Sequence, residues 1–442
     1  MSRTLPRNFN YAAALLTSIF FLIEMVAPAA AQVPADYFGM HANSGIALQP
    51  PQWWSNPWPV VPIGSMRLWD AGVAWAEINT ADGVYNWTLL DEWLGDAQKF
   101  HVGDVMYTLA ETPQWASSNP NDPTCGPPGW GSGECDPPKD LNADGTGPDQ
   151  IWKNWVAAIA AHSAGRIKYW EIWNEPHNAY YWNGTVAQLV RMAKDARSVI
   201  LSFDPQAVML TPPIYGPWQA LYFAAGGAQY ADVITYHGYI YKAVCGVYPK
   251  ASDELKLIGN VRSVMATYGQ SGKPLWDTEV SWGYTSATCF YDPDLQSAFL
   301  AQLLLLHQSA AIQRVFWYMY NNQISGTLWT QNSDPHHRNY PGTLHKPGIA
   351  YEQVYKWMVG ATMNGQCAVS GTTWTCNFNR SGGYIAEAIW DTSQTCHKGV
   401  CGTIKYGVGS EYTNYLSLNG SKTSITGGQV PIGAKPIWVE NQ

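Results

Sequence analysis

Tyr169-Trp170-Glu171-Ile172-Trp173-Asn174-Glu175-Pro176 decides how this chain is read. It is a short apolar, aromatic-rich run that stops at a polar pair, Asn174-Glu175, with Pro176 directly behind. A carboxylate at the end of a buried strand is costly to desolvate and is usually kept where chemistry uses it. A second run of the same kind, Pro274-Leu275-Trp276-Asp277-Thr278-Glu279-Val280, brings Glu279 to its end. Two strand-end glutamates point to an enzyme that works with paired carboxylates.

Working outward, further strands are expected at residues 37–41, 65–69, 104–109, 207–211, 233–239 and 314–320. Apolar residues at intervals of three and four predict helices over 89–100, 151–162, 186–201 and 295–308, between the strands. Strands separated by helices in this order predict a parallel sheet closed into a (β/α)8 TIM barrel. Residues 113–148 interrupt the pattern with a stretch dense in Pro, Gly, Asn and Asp. That stretch is too long for an ordinary strand-to-helix connection and predicts a loop on the barrel rim.

After a helix at 351–358 the pattern changes to short alternating runs at 373–378, 384–390, 402–406 and 415–418. Gly, Ser, Thr and Asn separate them, which predicts a small C-terminal antiparallel β domain, sandwich-like, over 361–442. The boundary is placed near Gly360, leaving 32–360 to the barrel. This second piece either binds carbohydrate or braces the barrel, and bracing is the favoured reading.

Bulk properties restrict the partners. The chain has 442 residues, 46% hydrophobic and 13% charged, enough to bury a large core. A formal net charge of −8 speaks against nucleic acid and against an anionic membrane. The 23 Trp and 26 Tyr stand out, because aromatic faces stack on the C–H faces of sugar rings. A large aromatic core is the plainer reading of the same numbers.

Arg3 and Arg7, a mostly apolar run over 11–25 and Ala29-Ala30-Ala31 read as a secretory leader ending at residue 31. Glu24 interrupts that run, which makes a permanent membrane span a poor fit. The expected location is therefore outside the cytoplasm, extracellular or periplasmic, with no membrane association after the leader is removed. Eight cysteines fit an oxidising compartment. Their spacing invites the pairs Cys125–Cys135, Cys245–Cys289, Cys367–Cys376 and Cys396–Cys401. The rival reading, a metal site, lacks both a Cys-x-x-Cys pair and a histidine at ligand spacing.

In a barrel of this kind the working residues gather at the C-terminal ends of the strands. Polar groups fall there: His41 on the first strand, Arg67 on the second, Asn174 and Glu175 on the fourth, His237 and Tyr239 on the sixth, Glu279 on the seventh. Trp317 lies in the eighth. Any one of these alone reads as an ordinary satisfied core residue; six strands feeding one rim do not. Glu171 and Asp277 lie at even offsets from the two glutamates and are expected on the same side of their strands, but deeper, as paired structural charges.

The Trp173-Asn174-Glu175-Pro176 motif with Glu279 on a later strand resembles clan A of the glycoside hydrolases. Gly39-Met40-His41, Arg67-Leu68-Trp69-Asp70 and the Glu171–Glu175 strand end are most similar to family 39 and its relatives. The resemblance runs over nearly the whole barrel and is weakest in the C-terminal domain. The Pro/Gly-rich insertion with Cys125 and Cys135 departs from it and would reshape the cleft. The resemblance implies a retaining double displacement, with Glu175 as general acid/base and Glu279 as nucleophile. Asn174 would then bind the sugar 2-hydroxyl, and Tyr239 or Arg67 would keep Glu279 ionised. His41 and His237 become hydroxyl-binding or acid-tuning groups, and Trp317 a platform beneath the sugar. The implied partner is a carbohydrate substrate, the implied assembly a monomer, and no cofactor and no metal are called for.

Asp140-Leu141-Asn142-Ala143-Asp144-Gly145 opens like a calcium loop, but Ile151 stands where the closing glutamate belongs. A polar loop capping the helix that begins near Gln150 is the better reading. His336-His337, in a Pro-containing polar loop, reads as solvated or close to substrate. Two other readings of the whole stay open: a transglycosylase using the same residues, and a non-catalytic carbohydrate-binding protein.

Overall fold

The structure is a computed structural model. It describes residues 31–43, 58–126, 131–240, 250–283, 292–321, 325–330, 342–397 and 399–442. The secretory leader, Cys245, Cys289 and His336-His337 fall outside the described residues, apart from Ala31.

Eight parallel strands form the first sheet: β1 (Phe38–His41), β2 (Ser65–Leu68), β3 (Asp104–Leu109), β4 (Tyr169–Ile172), β5 (Val208–Leu210), β6 (Ile234–His237), β7 (Leu275–Val280) and β8 (Val315–Trp317). They pair in chain order from β1 to β5, while β8 pairs with both β1 and β7, and β7 with β6. A parallel bridge between Leu210 and Val233 joins β5 to the entry of β6, which closes the barrel. The helices α1 (Trp75–Ile78) and α2 (Thr88–Lys99) both follow β2, and α3 (Gln150–Ser163), α4 (Val186–Phe203), α5 (Gly216–Ala224), α6 (Glu254–Thr267), α7 (Pro293–Ser309) and α8 (Lys346–Met358) follow β3 to β8 in turn. The predicted (β/α)8 architecture is therefore present.

Alternation along the strands explains the two layers of core. Met106, Tyr169, Leu210, Trp276 and Phe316 fill the barrel interior, whereas Met40, Met66, Leu68, Trp170, Ile172 and Trp317 pack outward with the helices. Much of the unusual aromatic content goes into that outer layer. Trp75 and Trp87 each stack on Trp155, with ring centroids 6.0 Å apart.

The last barrel helix ends at Met358, and the first strand of the C-terminal sheet, Thr362–Met363, begins shortly after it. A hairpin of Thr373–Arg380 with Tyr384–Asp391 carries Ile437–Glu440 on its far edge. Ile389, Ile437 and Val439 of that sheet pack on Val430 and Ile432 of a second, two-stranded sheet, giving the small antiparallel domain.

Disulfides join Cys125–Cys135, Cys367–Cys376 and Cys396–Cys401, three of the expected pairs. The first closes a loop within the long connection after β3. That connection leans on the loop after β4, with Gly126 N–H donating to the Tyr180 carbonyl and Asn183 N–H to that of Cys135. The Asp140 carboxylate accepts from the N–H groups of Gln150 and Ile151, so it caps α3. Asp144 faces solvent and takes its bonds from Thr146.

Candidate active site

The same alternation that sends Met40, Leu68, Ile172 and Tyr236 outward turns His41, Arg67, Glu171 and His237 toward the barrel axis. Beyond Ile172 the strand breaks off sharply. Trp173 and Glu175 adopt φ values of 58° and 41°, a left-handed conformation that side chains other than glycine rarely accept. Trp173 is held there by its indole N–H on the Tyr181 carbonyl, at 2.6 Å, and by edge-on packing against Trp182. Backbone strain of this kind persists only where packing over-determines it, and it gathers at working sites.

Arg67, fully buried, is the hub. Its Nε donates to Glu171 Oε2 at 2.8 Å, its Nη1 to Glu279 Oε2 at 2.9 Å and its Nη2 to Asn174 Oδ1 at 2.8 Å. Thr108 adds a bond to the same Glu171 oxygen. Glu171 is thus a paired structural charge below the rim. With Oδ1 committed to Arg67, the Asn174 amide nitrogen remains as its donor. Glu279 also accepts from the Tyr239 hydroxyl at 2.8 Å.

His237 stands between the two glutamates. Its Nδ1 lies 2.7 Å from Glu175 Oε1, and its Nε2 lies 3.9 Å from Glu279 Oε2. One carboxyl oxygen of Glu175, one of Glu279 and a ring nitrogen of His237 all fall within 4.8 Å of one another.

Burial raises the pKa of both glutamates. Nearby His177 and Arg67 oppose that effect at Glu175; Arg67 and the Tyr239 hydrogen bond oppose it at Glu279. Burial, chiefly, drives His237 down to about 4, so its ring is neutral at ordinary pH. A neutral ring can accept a proton-bearing Glu175 at Nδ1 while its Nε2–H faces Glu279. One guanidinium between Glu171 and Glu279 cannot also neutralise a third charge, which favours keeping the proton on Glu175.

Two expectations need correction. Trp317 is wholly buried on the outward face of β8, its indole N–H bonded to the Gly326 carbonyl at 2.6 Å. A ring with no open face cannot carry a sugar. Tyr318, the next residue, occupies the inward register, with its ring beside His41 and its hydroxyl 2.6 Å from Asp70 Oδ2. His41 is likewise fully buried, and its Nε2 is spent on the Thr278 carbonyl at 2.9 Å. Through that nitrogen it braces β1 against β7.

Asp277 also departs from expectation. Tyr236 pairs with Asp277 but His237 pairs with Glu279, so β7 carries one extra residue at that point. The bulge turns Glu279 inward and Asp277 outward, toward His307 on α7. Residues not singled out from sequence also enter the site. Tyr181, partly exposed, has its hydroxyl pKa raised by burial and by the charges of Glu175 and Glu279. His177 packs its ring against Tyr215. These follow the strand ends in loops, where no periodicity marks them.

No protein-family model matches the chain, and no curated protein does. Solved structures do. A family 39 glycoside hydrolase from the gut symbiont Bacteroides cellulosilyticus WH2 is 15% identical, with 92% of this chain and 80% of that one aligned at a TM-score of 0.62. A monomeric beta-xylosidase from Caulobacter crescentus CB15 is 15% identical, with 93% and 97% aligned at 0.64. The GH39 enzyme from Xanthomonas axonopodis pv. citri is 14% identical, with 93% and 95% aligned at 0.60. The resemblance to family 39 of clan A thus extends to the fold of nearly the whole chain.

Proposed function

We propose that the chain is a secreted retaining glycoside hydrolase, acting on a polysaccharide or oligosaccharide by double displacement. The observation that carries this reading is that one carboxyl oxygen of Glu175 and one of Glu279 lie within 4.8 Å of each other, beside His237. Retaining enzymes hold their carboxyl groups about 5–5.5 Å apart, whereas inverting ones need about 6.5–9.5 Å to admit a water.

Glu279, steadied by Arg67 and Tyr239, attacks the anomeric carbon. Glu175 gives its proton to the departing glycosidic oxygen and then takes one from the water that releases the sugar. Asn174, oriented by Arg67, offers its amide to the 2-hydroxyl, and His237 holds Glu175 in line. Arg67 acts through the carboxylates, since it is fully buried. The three disulfides support an oxidising location. No helix among the described residues is long and apolar enough to cross a membrane. Monomeric action on a carbohydrate, with no cofactor, completes the reading.

The test is incubation with a panel of plant, fungal and bacterial polysaccharides, beside the Glu279→Ala variant. Xylo-oligosaccharides belong in the panel, because one of the similar folds is a beta-xylosidase. Hydrolysis that falls by at least about a thousandfold in the variant supports the assignment. Binding with no product would sink the enzyme reading, and products longer than the substrate would make it a transglycosylase. An inverted anomeric centre in the first product would refute double displacement.

A further inference from the structure

The outward turn of Asp277 has a partner set that the proposed chemistry does not use. Asp277 Oδ2 lies 2.9 Å from His307 Nε2, and Glu254, the first residue of α6, reaches the same spot. One ligand atom from each of the three residues lies within 4.8 Å of the others, and all three side chains are fully buried. Both carboxyl oxygens of Glu254 are buried with no hydrogen-bond partner. A buried carboxyl left wholly unpaired is among the costliest groups a fold can hold, and it calls for a counter-charge.

The surroundings are those of ligands held for a cation. His307 Nδ1 lies 3.0 Å from the Leu303 carbonyl, which fixes its proton there and leaves the Nε2 lone pair pointing at Asp277. Metal-binding histidines are oriented in this way by the carbonyl behind them. The other Asp277 oxygen accepts from Gly238 N–H at 3.0 Å and more weakly from Glu279 N–H at 3.4 Å. Gly238 is required beside it, since a Cβ there would stand 2.2 Å from Asp277 Oδ2. The Tyr236 hydroxyl, 3.2 Å from His307 Nε2, is a fourth oxygen at hand. A proton placed between Asp277 and His307 would satisfy those two but leave Glu254 unpaired. A dication satisfies all three and cancels the two carboxylate charges.

We infer that Glu254, Asp277 and His307 form a buried site for a first-row divalent cation of the zinc type, which ties α6 and α7 to β7 behind Glu279. One imidazole with two carboxylates suits zinc or manganese better than calcium, and complete burial marks a structural site, not a catalytic one. Sequence spacing could not show it, because each ligand comes from a different element.

The test needs no substrate, so its outcome is separate from that of the glycosidase reading. The full chain, purified without chelator, is analysed for bound metal, then unfolded with chelator and refolded with Zn2+ or Mn2+. About one equivalent per chain, and a melting temperature raised by at least about 5 °C on adding the ion, are expected. Less than about a tenth of an equivalent in both preparations overturns the site. Glu254→Gln and His307→Gln should each lose the ion and the thermal shift. Retention of the ion by variants folded by circular dichroism overturns the ligand assignment. If one variant fails to fold, the other and the refolded parent decide.

Discussion

Tyr239 makes one hydrogen bond that bears directly on the proposed nucleophile. Its hydroxyl donates to Glu279 Oε1, on the oxygen not taken by Arg67. A donor of this kind favours the ionised carboxylate and so opposes the upward push of burial. Tyr239→Phe removes it without changing the ring. Glu279 should then ionise at a higher pH, and the acidic limb of the pH–rate profile should move up. A fall in kcat/KM of about tenfold is expected for one lost bond to a charged group. A profile whose acidic limb stays in place would separate Tyr239 from the ionisation of Glu279. At this scale the site was half legible. Glu175, Glu279, Arg67 and His237 sit where strand ends and polar side chains coincide, a pattern visible in one dimension. Trp317 was misplaced because strand ends drift in register, and a one-residue slip exchanges the two faces. Tyr318 is the inward residue there, and nothing in its composition says so.

The start of α3 shows what an element does to its neighbours' charges. Asp149 precedes that helix at φ 48°, fully buried, with no N–H or hydroxyl donating to either carboxyl oxygen. Burial first, then the neighbouring Asp195 and Asp140 carboxylates, lift its pKa from 3.8 to about 8. The folded chain therefore keeps a proton that the unfolded chain releases near pH 4. Between those values the native state binds more protons, so this group's contribution weakens the fold as pH rises. Asp149→Asn keeps the shape and removes the titration. Urea midpoints at pH 5 and pH 8 should show the parent losing roughly 2–4 kcal/mol more than the variant over that interval. Equal losses in the two proteins would mean that Asp149 is ionised in the fold. The helices and strands themselves were legible because apolar residues recur at three and four, or at two, along them. The bulge in β7 was not. One extra residue between Asp277 and Glu279 leaves every local propensity intact, yet it puts the two carboxylates on opposite faces of the strand.

Across the whole molecule, the antiparallel domain is joined to the barrel by more than the chain that links them. Trp438 stacks on Trp357 of α8 at 5.7 Å and packs on Phe378 from its own sheet. Gln302 of α7 donates to the Ala434 carbonyl at 2.6 Å, and Lys435 pairs with Asp294 at 2.8 Å. The start of the described chain enters the same seam, where Val33 N–H donates to the Ala361 carbonyl and Gly360 N–H to that of Val33. An apolar stack flanked by directional polar bonds makes a joint that does not open without exposing both sides. The two parts should therefore unfold together, in one calorimetric transition that coincides with loss of hydrolytic activity. Trp438→Ala empties a wholly buried site on the seam and should destabilise the fold by about 3–5 kcal/mol. Ending the chain at residue 360 strips Trp438 from the face of Trp357 and should leave the barrel aggregation-prone. Two resolved transitions, with activity surviving the first, would instead make the antiparallel sheet an independent module and remove the case for bracing. The same α7 that meets the antiparallel sheet through Gln302 and Asp294 reaches β7 through His307 and Asp277, so a single transition would tie the sheet to the strand that carries Glu279.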